Sequence, residues 1–124
     1  MQDNMTVIEV KAFVPARDFA LSKRFYQDLG FDLGWSSNDL AYFRHGTSSF
    51  LLQNFYVREH AENFMMHMMV DDLDAWWRHV TSLDLPGNFG VDPPKAPAMQ
   101  SWGLRVAYVY DPSGVLWHIA QRRT

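Results

Sequence analysis

Apolar residues recur at two periods along this chain, and the two alternate in blocks. From Thr6 to Val14 the spacing is strand-like: Val7-Ile8-Glu9-Val10-Lys11-Ala12-Phe13-Val14 is rich in β-formers, and Pro15 closes the run. Asp18 suits a helix N-cap, and Phe19, Leu21, Phe25, Tyr26 and Leu29 then fall near helical spacing before Gly30. Three strands are predicted over 31–35, 40–44 and 49–55, with turns at Ser36-Ser37-Asn38-Asp39 and His45-Gly46-Thr47. A polar connection from Val57 to Asn63 leads to a Met-rich strand, Phe64 to Val70. Asp71 or Asp72 caps a second helix over Leu73 to Leu83. Residues 84–97 hold Pro86, Gly87, Gly90, Pro93, Pro94 and Pro97, and predict a long irregular connection with room for one short strand. Strands are predicted over 98–102, 104–110 and 115–121, the last two a hairpin turned by Asp111-Pro112-Ser113-Gly114.

The element order is βαβββ twice. A shift of 54 residues lays Asp18-Phe19 on Asp72-Leu73 and Leu29 on Leu83, so each half starts with a strand, an acidic cap and a helix of similar length. The expectation is one α+β domain over 1–124, with modules at about 6–56 and 63–121.

Composition narrows the function classes. With 48% hydrophobic residues, the chain can build a core without staples. It has no cysteine, which excludes disulfides, thiolate catalysis and zinc–thiolate sites and fits a reducing cytoplasm. Net charge is −3 and no basic cluster exceeds the pair Arg122-Arg123, so nucleic acid is not expected as a partner. No apolar run approaches the ~20 residues that span a bilayer, and the first residues carry no leader pattern, so no membrane role is expected.

Three segments resemble one family. Phe13 to Phe31, with Asp18-Phe19, Ser22, Phe25-Tyr26 and Leu29-Gly30-Phe31, is similar to the first strand and helix of the glyoxalase/bleomycin-resistance/extradiol-dioxygenase (vicinal oxygen chelate) superfamily. Val70-Asp71-Asp72-Leu73 resembles the start of its second module. Trp102-Gly103, then Asp111-Pro112-Ser113-Gly114 and the strand through His118, resembles the bleomycin-resistance branch. The resemblance implies two βαβββ modules that form a curved mixed sheet, a cup with helices on its outer face. It also implies a homodimer, sometimes with exchanged modules.

Metal-dependent relatives use His, Glu or Gln donors that project into the cup. By the resemblance those positions fall on Lys11, on Met65, near Leu51 or Gln53, and on His118. A protonated lysine has no lone pair, and a thioether is too soft for Mg²⁺ or Mn²⁺. The set is therefore expected to be broken, with no cofactor favoured. His67 lies two residues after Met65 and so shares its face. If a divalent metal binds, His67, His118 and Gln53 are its ligands. The plainer reading makes each histidine a hydrogen-bonded strand residue, the Met run core, and Asp71-Asp72-Asp74 a helix start. His45, His60 and His79 are expected to face solvent.

Two functions follow from the resemblance. The first is a metal-free small-molecule-binding protein that sequesters or carries an amphipathic ligand in an aromatic cleft. Lys11, Phe13, Gln53, Phe55, Met65, His67, Trp102 and His118 are its expected ligand-binding residues. The second is a metal-dependent lyase or isomerase, or a ring-cleaving dioxygenase, using His67 and His118. The residues alone leave open whether the site catalyses.

Overall fold

Asp18 and Asp72 begin the two long helices in the same way. The Asp18 carboxylate accepts from the Leu21 amide at 3.1 Å and the Asp72 carboxylate from the Ala75 amide at 3.0 Å. The computed structural model describes residues 3–122. Its elements are β1 (Phe13–Pro15), α1 (Phe19–Leu29), β2 (Asp32–Ser36), β3 (Leu40–His45), β4 (Ser48–Gln53), α2 (Arg58–Asn63), β5 (Met65–Val70), α3 (Leu73–Ser82), α4 (Leu85–Phe89), β6 (Lys95–Met99), β7 (Arg105–Tyr110) and β8 (Leu116–Gln121). They form two four-stranded sheets, ordered β1-β4-β3-β2 and β5-β8-β7-β6. In each, the first strand pairs parallel with the last and the rest is antiparallel. The repeated order is the α+β arrangement expected.

Several local expectations needed correction. The strand predicted over 6–14 is only Phe13–Pro15. Val7, Ile8 and Val10 alternate like a strand but are 71–87% exposed, because residues 6–12 have no partner strand among the described residues. Alternation supplies a face to bury, but the hydrogen bonds of a strand need a neighbour. Pro15 belongs to β1, where an edge tolerates the missing donor. The 57–63 connection contains α2. Pro86, read as a breaker, sits in the first turn of α4, where its lost N–H costs nothing. The strand predicted over 98–102 runs instead from Lys95 to Met99 with a register shift, which leaves Trp102 on a turn.

One core joins the modules. Phe43, Phe50 and Leu52 of the first sheet meet Val109, Trp117 and Ile119 of the second, with Phe25, Tyr26 and Leu29 of α1 among them. The Asp111–Gly114 turn ties this seam. The buried Asp111 carboxylate accepts from the Tyr26 hydroxyl at 2.6 Å and from the amides of Ser113 and Val115. The Ser113 hydroxyl accepts from the Arg17 amide at 2.9 Å. Each sheet thus gives one face to the shared core. By strand alternation its other residues, among them the exposed Phe13 and the buried Leu51, or His67 and His118, occupy the opposite face.

Candidate functional site

Parallel pairing of β5 with β8 sets His67 directly opposite His118. Their Nδ1 atoms stand 3.4 Å apart. Tyr108, opposite His118 on β7, meets that ring edge-on at 4.9 Å. The turn after β6 lays the Trp102 indole nearly parallel to the His118 ring, at 6.1 Å and 24°, and 6.1 Å from His67. The indole is half exposed, as a stacking surface must be. Met65 and Met69 flank His67 on the same face, both exposed. Partial burial lowers the pKa of His118, and the neighbouring charge of His67 lowers it further. A neutral His118 leaves one Nδ1 of the pair free to accept from the other.

The first sheet presents a different surface at the matching place. Phe13 pairs with Leu51 as His67 pairs with His118, so the repeat equates Phe13 with His67 and Leu51 with His118. Lys11 and Met65 therefore lie two residues short of the opposed pairs. Lys11 precedes β1, bonds Glu9 at 3.1 Å and lies over the Tyr42 ring at 5.3 Å. Glu9 also accepts from the Ser49 hydroxyl at 2.6 Å and the Tyr42 hydroxyl at 2.9 Å. These bonds, Ser49's first, hold its carboxyl down at about 2. Gln53 ends β4 beside Leu40 and Pro15, and the exposed Phe55 lies just beyond it. Trp35 stacks on Tyr42 at 6.1 Å.

Of the eight expected residues, Met65, His67, Trp102 and His118 thus share one open face. Lys11, Phe13, Gln53 and Phe55 belong to the other module. Tyr42, Glu9, Ser49 and Tyr108 went unnoticed in the sequence. Tyr108 had a signal: the Asp111–Gly114 hairpin reflects position 118 onto 108. Glu9 and Ser49 meet across the strand pattern with none. His45 and His79 are exposed, yet both cap α1. His79 Nε2 lies 2.9 Å and 3.0 Å from the Asp28 and Leu29 carbonyls, and His45 Nδ1 lies 3.0 Å from that of Gly30.

A cavity of about 680 Å³ opens beside β5, lined by Phe31, His45, Ser49, Met68 and Trp76 and reaching His67. His118 and Trp102 are not part of its wall. Among the described residues no three or more His, Asp or Glu side chains converge. A resident divalent ion takes three or more protein donors. The opposed histidines supply two, and Phe13 and Leu51 at the matching place supply none.

Comparison with known proteins fixes the lineage. Residues 8–119 match the model of the Glyoxalase/Bleomycin resistance protein/Dioxygenase superfamily. The chain belongs to that superfamily. It is 27% identical over 113 residues to a bleomycin resistance protein of Klebsiella pneumoniae, covering 87% of each chain. Its fold superimposes on a bleomycin-binding protein complexed with bleomycin with a TM-score of 0.80, at 24% identity, covering 93% of this chain and 98% of the other. It also superimposes on a lactoylglutathione lyase from Agrobacterium tumefaciens with a TM-score of 0.69, at 16% identity, covering 96% and 95%. One fold thus serves a binder and an enzyme, so the side chains must decide the function.

Proposed function

We propose that this chain binds a small amphipathic molecule of the bleomycin kind and catalyses no reaction on it. The observation that carries this is the open face of β5, β8 and the Trp102 turn. An exposed indole lies parallel to a neutral imidazole, with a second imidazole and a phenol at the edges. Such a surface offers stacking area with few polar anchors, which is how small-molecule sites are built. The likeness to bleomycin resistance proteins supports the same reading. The open first-sheet face, with Lys11, Phe13, Gln53 and Phe55, supplies the other wall when two copies pair. The functional unit in this reading is a cytoplasmic homodimer, with each cleft built from one module of each copy.

Titration of purified protein with bleomycin tests the proposal, read by tryptophan fluorescence and calorimetry. The expected result is saturable binding with quenching of Trp102, lost in Trp102→Ala. Absence of binding, or binding indifferent to Trp102→Ala, overturns it. Sedimentation at micromolar concentration reads the dimer, and a monomer that binds bleomycin fully removes the shared cleft.

A metal-dependent lyase, isomerase or dioxygenase is the second reading. The 3.4 Å approach of the two Nδ1 atoms favours it. It would need further donors from beyond this face. Stoichiometric Fe, Mn, Ni or Zn in the purified protein would establish it and displace the metal-free reading.

A further inference from the structure

Residues 6–12 alternate like a strand, yet Ile8 and Val10 are 84% and 87% exposed. Two strand edges stand beside them without a neighbour. The first is the start of β4. Its ladder with β1 is paired only as far as Phe13 and Leu51, and the outermost bond runs from the Leu51 amide to the Ala12 carbonyl at 3.0 Å. Peptide groups alternate sides along a strand, so the amide and carbonyl of Ser49 face the same way as those of Leu51. No strand stands opposite Ser49 on that side among the described residues. The second edge is that of β5. The Phe64 and Val70 carbonyls accept from the Leu116 and Arg122 amides, so the even-numbered peptide groups serve β8 and those of His67 and Met69 point away from it. The cavity of about 680 Å³ lies between these edges, with Ser49 and Phe50 on one wall and residues 66–70 on the other.

The arm is already half seated. Glu9 bonds the Ser49 and Tyr42 hydroxyls and Lys11 lies over the Tyr42 ring, on the face that Phe13 shares by parity. Ile8 and Val10 have the parity of Val14, which is fully buried. A cavity of about 400 Å³ separates Val7, Ile8, Glu9 and Val10 from Thr47 to Ser49. Closing that gap continues the ladder by one rung: the Ser49 amide reaches the Val10 carbonyl, and the Ala12 amide the Ser49 carbonyl. Ile8 and Val10 then turn toward Phe50, Met68 and Trp117, apolar walls of the larger cavity. The peptide groups of Glu9 and Lys11 turn toward the free edge of β5.

We infer that residues 6–12 are a strap that closes the cavity by extending β1, joining the two four-stranded sheets along it. The tether commits the strap to its own chain. Ala12 and Glu9 already hold Leu51, Ser49 and Tyr42 of the same copy, so closing needs no new loop and no encounter. Burial of two β-branched side chains favours the closed position and the ordering of the arm opposes it, so the strap passes between the two. The inference stands apart from the small-molecule reading, because closure is read with no ligand present.

The test follows the Ile8 and Val10 methyls and the amide exchange of Ser49, His67 and Met69 by NMR. Nuclear Overhauser contacts from Val10 to Met68 and Phe50 are expected. The variant Ile8→Asp/Val10→Asp puts two charges where the cavity is apolar, and should speed exchange at those three amides at least tenfold. Both side chains are exposed when the strap is open, so a strap that never closes leaves the variant silent. Ile8→Ser/Val10→Ser repeats the comparison more gently, and circular dichroism checks that both variants fold. Absence of the contacts overturns the inference, as does exchange indifferent to both variants. A mixture of labelled and unlabelled chains separates contacts within a chain from contacts between chains. Contacts found only between chains overturn the tethered strap and give the cavity to the arm of a second copy.

Discussion

The Tyr26 hydroxyl donates to the Asp111 carboxylate at 2.6 Å while accepting from Trp117 Nε1 at 2.9 Å, so one phenol joins the first module's helix to the second module's hairpin. All three side chains are buried. A buried group robbed of its partner costs roughly 1–3 kcal/mol, more if charged. Tyr26→Phe keeps the ring and removes both bonds. It should destabilise the chain by roughly 2–4 kcal/mol in urea unfolding. A loss below about 1 kcal/mol would mean that the seam is held by apolar packing alone.

Asp111 also sets a pH dependence. Burial pushes its carboxyl up to about 6, against the lowering effect of the Tyr26 bond and the turn amides. Because the folded value exceeds the unfolded one, the folded state binds the proton more tightly between pH 4 and 6. The stability that Asp111 contributes is therefore full below pH 4 and is lost as pH rises through about 6. The lost amount is on the order of 2–3 kcal/mol. Asp111→Asn cannot titrate. The stability gap between wild type and this variant should shrink from pH 4 to 7 in thermal scans, and a gap that widens contradicts the assignment.

His118 should titrate below an ordinary imidazole, because burial and the His67 charge both oppose its protonation. His67→Gln removes only the second cause. By NMR, the His118 pKa should rise in this variant without reaching the free value. The sign for folding is opposite to that of Asp111. The unfolded imidazole takes its proton first as pH falls, so stability drops below about pH 6.5. An unchanged His118 titration in His67→Gln would show that the two rings do not sense each other's charge.

Gly34 sits where β2 slips register, with a missing side chain facing Tyr42. A Cβ there would stand 2.5 Å from Tyr42 Cδ2. Gly34→Ala must displace the ring, and with it the bond to Glu9 and the stack on Trp35. The expected cost is about 1–3 kcal/mol, typical of overpacking, with a shifted Trp35 emission. Tyr42→Ala in the same background should relieve the clash, and an undisturbed Trp35 spectrum in Gly34→Ala would refute the contact.

Much of the architecture was legible because it rests on local signals. Asp18 and Asp72 announce caps, Gly30 a stop, and Asp111-Pro112-Ser113-Gly114 a hairpin, and each needs only its neighbours. The arm from Thr6 to Ala12 misled for the opposite reason. Its alternation is genuine, but strand formation depends on a partner the pattern cannot name. At the candidate site, the meeting of His67 with His118 hung on a two-residue choice of register. Counting from the caps gave Lys11 and Met65, whereas the residues opposite Leu51 and His118 are Phe13 and His67. Trp102 was found by resemblance, but its turn was not, because the strand before it runs from Lys95 to Met99 and ends short of it.

The parallel pairing in the second sheet also carries a message about how the chain assembles. Met65 finds its partner at Leu116, and among the described residues β5 has no other strand neighbour. The helices and the β6–β7 hairpin can form early from near neighbours, yet this sheet stays open until the final strand emerges. From its own synthesis until that of β8, the segment Met-Met-His-Met-Met-Val is a bare apolar strand with two unpaired edges. Loss of β8 would therefore do more than shorten the sheet. It would leave that strand without its ladder and offer it to other chains as a template for aggregation.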